Sequence, residues 1–367
     1  MHIDSIRLFR VSMPLIAPFR TAFGNDAVIE STLVELCSGS YRGWGEGSPL
    51  ALPAYSPECA TTQFVMAKTF VAPRLLHQEI ESGAQLQALL AGIKGNYFAK
   101  AAFDLAWWDL QARMQNRPLW QLLGGKGPVA TVGSDFGVLD RIDDLLDAIA
   151  QANAQGYLRV KLKYRPGWDL PMLERVRQRF PETVIHIDCN SGYTLRDQPM
   201  FEALDGFGLA MIEQPLANDD LIDHATLQRH LKTPICLDES VVSLDKARKA
   251  IEIGACRWVN IKLGRVGGLT PALAILEHCE ARGIPCWVGG MLESAIGQLH
   301  NLAFATLSNI AYPCDIFPTD RFYWRDVTPQ PLVHGAPSCF TAIDAPGIGA
   351  EPEFAYLERI TVEHASL

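Results

Sequence analysis

Five short apolar runs in the middle of the chain decide the fold, and each ends in a charged residue: LRVKLK (158–163), TVIHID (183–188), LAMIE (209–213), PICLD (234–238) and WVNIK (258–262). Their last residues follow one another at intervals of 25, 25, 25 and 24 residues. The stretches between them, such as SLDKARKAIEIGA (243–255), have the apolar spacing of helices. Short apolar strands that alternate with helices predict βαβ units and a parallel sheet.

Two architectures are compatible with this repeat. About seven or eight such units fit a closed barrel, in which all strands direct their carboxyl ends at one mouth. A doubly wound open sheet also explains the alternation, but it explains less readily why five consecutive strand ends carry a charge. We therefore expect a barrel with its active site at the mouth.

The chain on either side of the repeat has a different character. Residues 1–50 have the pattern of strands, and residues 58–123 that of helices, for example AKAAFDLAWWDLQARMQ (99–115). We expect three parts, namely an α+β lobe, the repeat, and a tail that returns to the first lobe: 1–125, 126–325 and 326–367.

Composition excludes several classes of protein. The 367 residues include 41 acidic and 32 basic ones, a net charge of −9, which argues against a nucleic-acid partner. No apolar run reaches the roughly 18 residues of a membrane-spanning helix. The nine cysteines are scattered without a CxxC pair, and the first fifteen residues lack the apolar core of a secretion signal. We expect a cytoplasmic enzyme that does not bind membranes.

Three carboxylates stand at matched strand ends: Asp188, Glu213 and Asp238. On adjacent strands of a barrel they would lie close together at the mouth. Oxygen ligands of this kind suit a hard divalent cation, and Mg²⁺ is the natural choice, with Mn²⁺ as an alternative. Each acid taken alone could instead cap the helix that follows it.

Lysines stand at the remaining strand ends. Lys161 and Lys163 point to the same face of one strand, and Lys262 ends a strand roughly opposite. Like charge and desolvation both lower a lysine pKa, so we expect a neutral amine able to act as a base. Two lysines across a metal ion could remove a proton from a carbon and return one to the opposite face. A solvated strand face is the alternative interpretation.

Six ordered motifs resemble the enolase superfamily, in its muconate-lactonizing-enzyme subgroup: VKLK (160–163), HIDCNSGY (186–193), MIEQPL (211–216), CLDES (236–240), NIKLGRVGG (260–268) and GGMLESAIG (289–297). KLKYRPGWD (161–169) is similar to the branch of o-succinylbenzoate synthases and N-succinylamino-acid racemases. The resemblance implies a (β/α)₇β modified TIM barrel with an α+β capping domain. It also implies Mg²⁺ on the three carboxylates and acid/base roles for Lys163 and Lys262.

The same resemblance suggests supporting residues. Lys161 would polarise a substrate carboxylate, and Asn190 would support the metal or carboxylate, although it could equally be a turn residue. Glu239 could hydrogen-bond to Lys262 or to a metal-bound water. Arg265 could depress the pKa of Lys262 or form a structural salt bridge. Further pocket residues are expected from two loops and two barrel strand ends: Phe19, Phe23, Tyr55, Ser134 and Met291.

The reaction implied by the resemblance begins with removal of a proton α to a carboxylate. The expected activity is o-succinylbenzoate synthesis, a dehydration in menaquinone biosynthesis, with N-acylamino-acid racemisation as an additional or alternative activity. Muconate cycloisomerisation also fits the lysine pair, whereas dipeptide epimerisation is disfavoured because Asp315-Ile316-Phe317 lacks a second Asp. A ligand-binding barrel without activity is the non-enzymatic alternative. A small carboxylate is the expected partner, and a homo-oligomer the expected assembly.

Overall fold

The computed structural model describes residues 1–21 and 24–367. Its strands in that part of the chain, numbered in order, are β1 (Ser5–Arg20), β2 (Asn25–Ser38), β3 (Tyr41–Gly47), β4 (Val129–Thr131), β5 (Ser134–Phe136), β6 (Val160–Lys163), β7 (Ile185–Asp188), β8 (Ile212–Glu213), β9 (Ile235–Leu237), β10 (Trp258–Ile261), β11 (Cys286–Val288), β12 (Cys339–Thr341) and β13 (Thr361–Ser366).

The α-helices of the same residues are α1 (Ala60–Met66), α2 (Ala72–Leu75), α3 (Gly83–Leu90), α4 (Tyr97–Met114), α5 (Leu119–Leu122), α6 (Ile142–Ala154), α7 (Leu170–Arg179), α8 (Gln198–Leu204), α9 (Leu221–His230), α10 (Leu244–Glu252), α11 (Leu263–Val266), α12 (Leu269–Ala281), α13 (Ala295–Ala305), α14 (Thr319–Phe322) and α15 (Phe354–Ile360). A π-helical turn (Ala67–Val71) joins α1 to α2, and short 3₁₀ turns (Leu195–Asp197 and Asp205–Phe207) flank α8.

The first sheet is antiparallel, with the order β13–β1–β2–β3. The edge strand β13 comes from the carboxyl end of the chain and pairs with β1, with Arg7 opposite Ser366. Helix α4 lies against β3, where alternate glycines leave room for its backbone. A Cβ atom on Gly43 would lie 2.3 Å from the carbonyl oxygen of Ala106, and one on Gly45 would lie 2.1 Å from that of Ala102. Because β3 lacks side chains on this face, α4 can approach the sheet closely.

The second sheet is parallel and curls into a barrel, with the order β11–β10–β9–β8–β7–β6–β5. Residues 310–316 lie between its two edges. On one side, the amide of Asp315 donates to the carbonyl of Val288 at 2.8 Å. On the other, the amide of Cys314 donates to the carbonyl of Thr131 at 2.9 Å, and the carbonyl of Cys314 accepts from the amide of Gly133 at 3.0 Å. This irregular eighth segment closes the ring.

The barrel predicted from the repeat is confirmed, and so is the α+β character of the first third. The register of the barrel also brings the charged strand ends to one level, because Lys163 pairs with Asp188 and Asp188 with Glu213. Among the described residues no helix is long and apolar enough to cross a bilayer. The domain boundaries, the compartment and the oligomeric state stay predictions.

Candidate active site

The three predicted carboxylates lie side by side at the barrel mouth. Asp188, Glu213 and Asp238 are at most 1% exposed; the first two end β7 and β8, and Asp238 directly follows β9. Apolar side chains alternate with them along each strand and pack outward under the helices, so the acids face the barrel interior. The fold therefore concentrates three acids in a space shielded from water.

Lys161 and Lys163 stand on the neighbouring strand β6. The Nζ of Lys163 donates to Oδ2 of Asp188 at 2.8 Å. The Nζ of Lys161 lies deeper, 3.1 Å from Oδ2 of Asp188 and 2.9 Å from Oε2 of Glu213. We call Asp188, Glu213 and Asp238 the carboxylate row. One face of β6 thus supplies two ammonium groups to the Asp188 end of this row.

Lys262 holds the other end of the row. It directly follows β10, four places from β6 in the sheet order, which is across the barrel. Its Nζ donates to Oδ2 of Asp238 at 2.9 Å and lies 4.5 Å above the ring of Tyr55. Arg265 donates to Oδ1 of Asp238 and, at 3.0 Å, to the hydroxyl of Tyr55. A Cβ atom at Gly289 would lie 2.8 Å from Cε of Lys262, so glycine leaves this lysine its space.

Asn190 and Glu239 join the row from the loops after β7 and β9. The amide Nδ2 of Asn190 donates to Oδ2 of Asp188 at 3.2 Å and to Oε1 of Glu239 at 3.4 Å. Its backbone is left-handed, with φ at +43°, which asparagine tolerates better than most residues. The amide oxygen of Asn190 (Oδ1) and the second carboxylate oxygen of Glu239 (Oε2) are buried and have no hydrogen-bond partner within the described part of the chain.

The ionisation of the site is set by competition between burial and neighbouring charge. Burial and the charge of Asp188 raise the pKa of Glu213 to about 7. Burial would also raise the pKa of Asp188, but the charges of Lys161 and Lys163 outweigh it and hold that pKa below its usual value. An isolated buried carboxylate would be largely neutral, so these ammonium groups keep Asp188 ionised.

The lysines differ from the sequence expectation. Burial is the largest single influence and acts to lower the pKa of Lys163 and of Lys262. The neighbouring groups together outweigh it, Asp188 foremost at Lys163 and Asp238 at Lys262, so both pKa values lie above the ordinary lysine value. The expected neutral amine is therefore not produced by the charges of the protein alone. Arg265 does act to lower the pKa of Lys262, as one reading of the sequence suggested, but it is a smaller influence than Asp238.

The oxygen donors fit a hard divalent cation in their chemistry. Three carboxylates with the two unpartnered oxygens of Asn190 and Glu239 form a set of the kind that Mg²⁺ prefers. Lys161 Nζ lies between two of the carboxylates. In residues 1–21 and 24–367, no three Asp, Glu, His or Cys side chains are arranged to hold an ion as they stand.

The predicted pocket residues divide into three groups. Phe19, Tyr55 and Met291 line the cavity above the lysines. Ser134 does not, because its Oγ bonds to the carbonyl of Arg159 and it lines a separate cavity between α6 and the tail. Its neighbour Asp135 lies opposite Lys161 in the register of β5 and β6 and faces the barrel interior instead. Phe23 lies outside the described residues.

Two functional neighbours were missed from the sequence, and a third, Asp315, was considered there only as part of an incomplete dipeptide-epimerase pair. Asn260 donates to Oε1 of Glu213 at 2.8 Å, and Nε2 of His186 lies 3.2 Å from Oε2 of the same acid. Each stands two residues before a strand-end charge, so strand alternation could have identified both. Asp315, on the irregular eighth segment, binds Arg159 at 2.7 Å and lies 3.4 Å from Lys161. No apolar run marks its segment in the sequence.

Comparison with known families agrees with this geometry. Residues 4–124 match the model of the mandelate racemase / muconate lactonizing enzyme N-terminal domain, and residues 144–356 match that of the enolase C-terminal domain-like family. The chain belongs to the enolase superfamily.

Individual relatives narrow the position within that superfamily. The chain is 45% identical to the o-succinylbenzoate synthase of Geobacillus kaustophilus, over 98% of this chain and 96% of that protein. It is 40% identical to the N-succinylamino acid racemase of an Amycolatopsis species, over 98% of each chain. The crystal structure of an enolase superfamily member from Listeria innocua superposes with a TM-score of 0.96 at 35% identity, covering 100% of this chain and 99% of the other. The resemblance noted from the motifs is confirmed.

Proposed function

We propose that this chain is an o-succinylbenzoate synthase that removes the proton α to a substrate carboxylate and then expels a hydroxyl group. The observation that carries the proposal is the placement of Lys163 and Lys262 at opposite ends of one carboxylate row, each within 2.9 Å of an acid. A substrate carbon held between them has an amine on each face. The synthases among the relatives support the choice of reaction.

Each residue of the row has a proposed task. Lys163 is the base that takes the α-proton, and Lys262 supports the developing enolate with its positive charge. Lys161 binds the substrate carboxylate and helps to keep Asp188 ionised. Asp188, Glu213 and Asp238 would hold Mg²⁺, with Asn190 and Glu239 in support. When bound, the cation would neutralise the acids that raise the lysine pKa values and would stabilise the enolate oxygens.

A second activity, racemisation of N-succinylamino acids, is favoured by the same pair of lysines. Racemisation requires proton removal from one face of the α-carbon and delivery to the other. Elimination with one base needs only one of the two amines. The amine of Lys262 is nevertheless held in a defined position. Asp238 forms an ion pair with it, the ring of Tyr55 lies against it, and Arg265 bonds to both of these residues. Two relatives carry the racemase name.

The test is a side-by-side kinetic assay of the Mg²⁺-loaded enzyme. One arm uses the cyclohexadiene substrate of the synthase reaction, and the other uses N-succinylamino acids of both hands. We expect dehydration in the first arm and racemisation in the second. Dehydration without racemisation would remove the second activity, and turnover in neither arm would refute the proposal.

A further inference from the structure

One wall of the active-site cavity carries two acids without an assigned task, Asp26 on β2 and Asp135 on β5. Asp26 is paired with Phe19 across the β1–β2 hairpin, and opposed residues of an antiparallel pair share a face. Asp135 is paired with Lys161 across β5 and β6 and points into the barrel. The two acids therefore approach the cavity from the cap and from the barrel.

The hairpin lies directly on the end of β5. The amide of Val138 donates to the carbonyl of Arg20 at 2.8 Å, and a Cβ atom on Gly137 would lie 2.8 Å from the same oxygen and 3.5 Å from the ring of Phe19. This contact holds Asp26 above the strand that carries Asp135. Both acids thus belong to one wall, on the Lys163 side of the site.

The two acids of this wall differ from the other charged side chains that line the cavity. Lys161, Lys163, Lys262 and Asp315 all line the cavity and all have ion-pair partners. Within residues 1–21 and 24–367, neither Asp26 nor Asp135 forms an ion pair. Asp135 is only 7% exposed, and its Oδ1 has no hydrogen-bond partner in that part of the chain. A buried carboxylate oxygen left unpaired is costly unless a ligand pairs with it.

We propose that Asp26 and Asp135 select substrates whose amino-acid side chain ends in an ammonium or guanidinium group, so that the chain racemises N-succinyl derivatives of basic amino acids. The inference rests on the proposed function, because it needs the α-carbon between Lys163 and Lys262. The succinyl group ends in a carboxylate, which two acids would repel. The wall must therefore face the other substituent, the side chain.

Electrostatics supports this choice of ligand. Burial raises the pKa of Asp26. Burial also raises the pKa of Asp135, although the charges of Lys163 and Lys161 act in the opposite direction. A cationic side chain would stabilise both acids in their ionised form, whereas an apolar side chain would leave Oδ1 of Asp135 unsatisfied. Sites built to pair with a polar group discriminate strongly against analogues that lack it.

The experiment compares N-succinyl-L-lysine with N-succinyl-L-norleucine, which has a similar chain without the ammonium group. We expect the Mg²⁺-loaded wild type to favour the lysine derivative by about tenfold in kcat/KM. Asp26→Asn and Asp135→Asn should each bring that ratio several-fold closer to one. Glu252→Gln removes an equal charge from the exposed end of α10 and should leave the ratio unchanged.

The wild-type ratio alone can overturn the inference. A ratio of one or below, with measurable turnover of the norleucine derivative, refutes the basic side chain and leaves the proposed function standing. A high ratio that persists in both Asn variants would also refute the assignment of these two acids. No turnover of either derivative or of the synthase substrate would refute both the inference and the proposed function.

Discussion

Asp238 at the barrel mouth and Glu46 at the contact between β3 and α13 are both buried carboxylates, but their pKa values are shifted in opposite directions. At the mouth, Asp238 meets the charges of Lys262 and Arg265, which outweigh burial and lower its pKa. At the contact, Glu46 accepts bonds from the hydroxyls of Ser31 and Ser294, at 2.7 and 2.6 Å, and from the amides of Ser294 and Gly297. Burial nevertheless raises the pKa of Glu46 to about 7.

The difference shows what neutral donors can and cannot do for a buried acid. Four hydrogen bonds satisfy the oxygens of Glu46 and join the two lobes, but they do not offset the loss of water around a charge. The full cations beside Asp188 and Asp238 do offset it. The mouth therefore keeps Asp188 and Asp238 ionised and available for a divalent cation, although the pKa of Glu213 between them stays raised. Glu46 instead serves to connect β3 with the first turn of α13.

The largest effect is expected from removing the cations of the mouth. Lys163→Ala and Lys262→Ala should each lower racemisation of N-succinylamino acids by about 10³-fold or more, because each lysine transfers a proton in the reaction. Circular dichroism should show that both variants retain the native fold. Near-normal racemisation by either variant would contradict the assignment of the two bases.

The acids of the mouth should control metal affinity. Asp238→Asn keeps the shape of the side chain but removes one ligand charge, so Mg²⁺ should bind about tenfold more weakly or worse, measured by calorimetry. Asp245→Asn makes the same change on the exposed surface of α10 and serves as the control. Equal affinity in the two variants would argue against a metal at the three carboxylates.

The ionisation of Glu46, at the contact between β3 and α13, should affect how the free energy of unfolding depends on pH. Glu46 is protonated in both the folded and unfolded protein below about pH 4.5, and it ionises more readily when unfolded between pH 4.5 and 7. Its presence should therefore cost up to about 3 kcal/mol of unfolding free energy as the pH rises through that interval. Denaturant unfolding of Glu46→Gln between pH 5 and 7.5 should show a flatter pH profile than wild type.

The slope of that profile is the informative quantity, because glutamine also loses acceptor capacity for the four donors and shifts the absolute stability. Glu252→Gln should retain the wild-type slope. An identical slope in Glu46→Gln and wild type would mean that Glu46 has the same pKa in the folded and the unfolded protein. That result would contradict the difference drawn between Glu46 and Asp238.

The smallest effect is expected at the edge of the mouth. Tyr55→Phe removes the hydroxyl that bridges Arg265 and Asp238 but keeps the ring beneath Lys262. Turnover should fall only about two- to tenfold, the size of one hydrogen bond. Tyr55→Ala also removes the ring and should lose more, as measured by steady-state kinetics. An equal loss in both variants would show that the ring contributes nothing.

Much of the barrel was predictable because its strands repeat at a fixed interval. A regular repeat converts sequence position into position around the ring, so Lys163, Asp188, Glu213, Asp238 and Lys262 could be placed at one mouth. Strand alternation could have added His186 and Asn260, since both stand two residues before a strand-end charge. The same alternation, once the register was known, moved the pocket position from Ser134 to Asp135.

Other features depend on contacts that a local pattern does not encode. Asp26 reaches the site only because the β1–β2 hairpin lies on β5, and Asp315 only because an irregular segment closes the ring. The alternate glycines of β3 mark a close approach, but nothing local identifies α4 as the partner. The raised pKa values of Lys163 and Lys262 follow from a sum over neighbouring charges in three dimensions, which sequence spacing alone does not provide.

The most direct test of the central claim is hydrogen exchange at the α-carbon. The Mg²⁺-loaded wild type, incubated in D₂O with the two enantiomers of an N-succinylamino acid separately, should incorporate deuterium at the α-carbon of both. This result would show that an amine reaches each face of the same carbon, as the positions of Lys163 and Lys262 require. Exchange into neither enantiomer, by an enzyme shown to be folded and metal-loaded, would contradict the account.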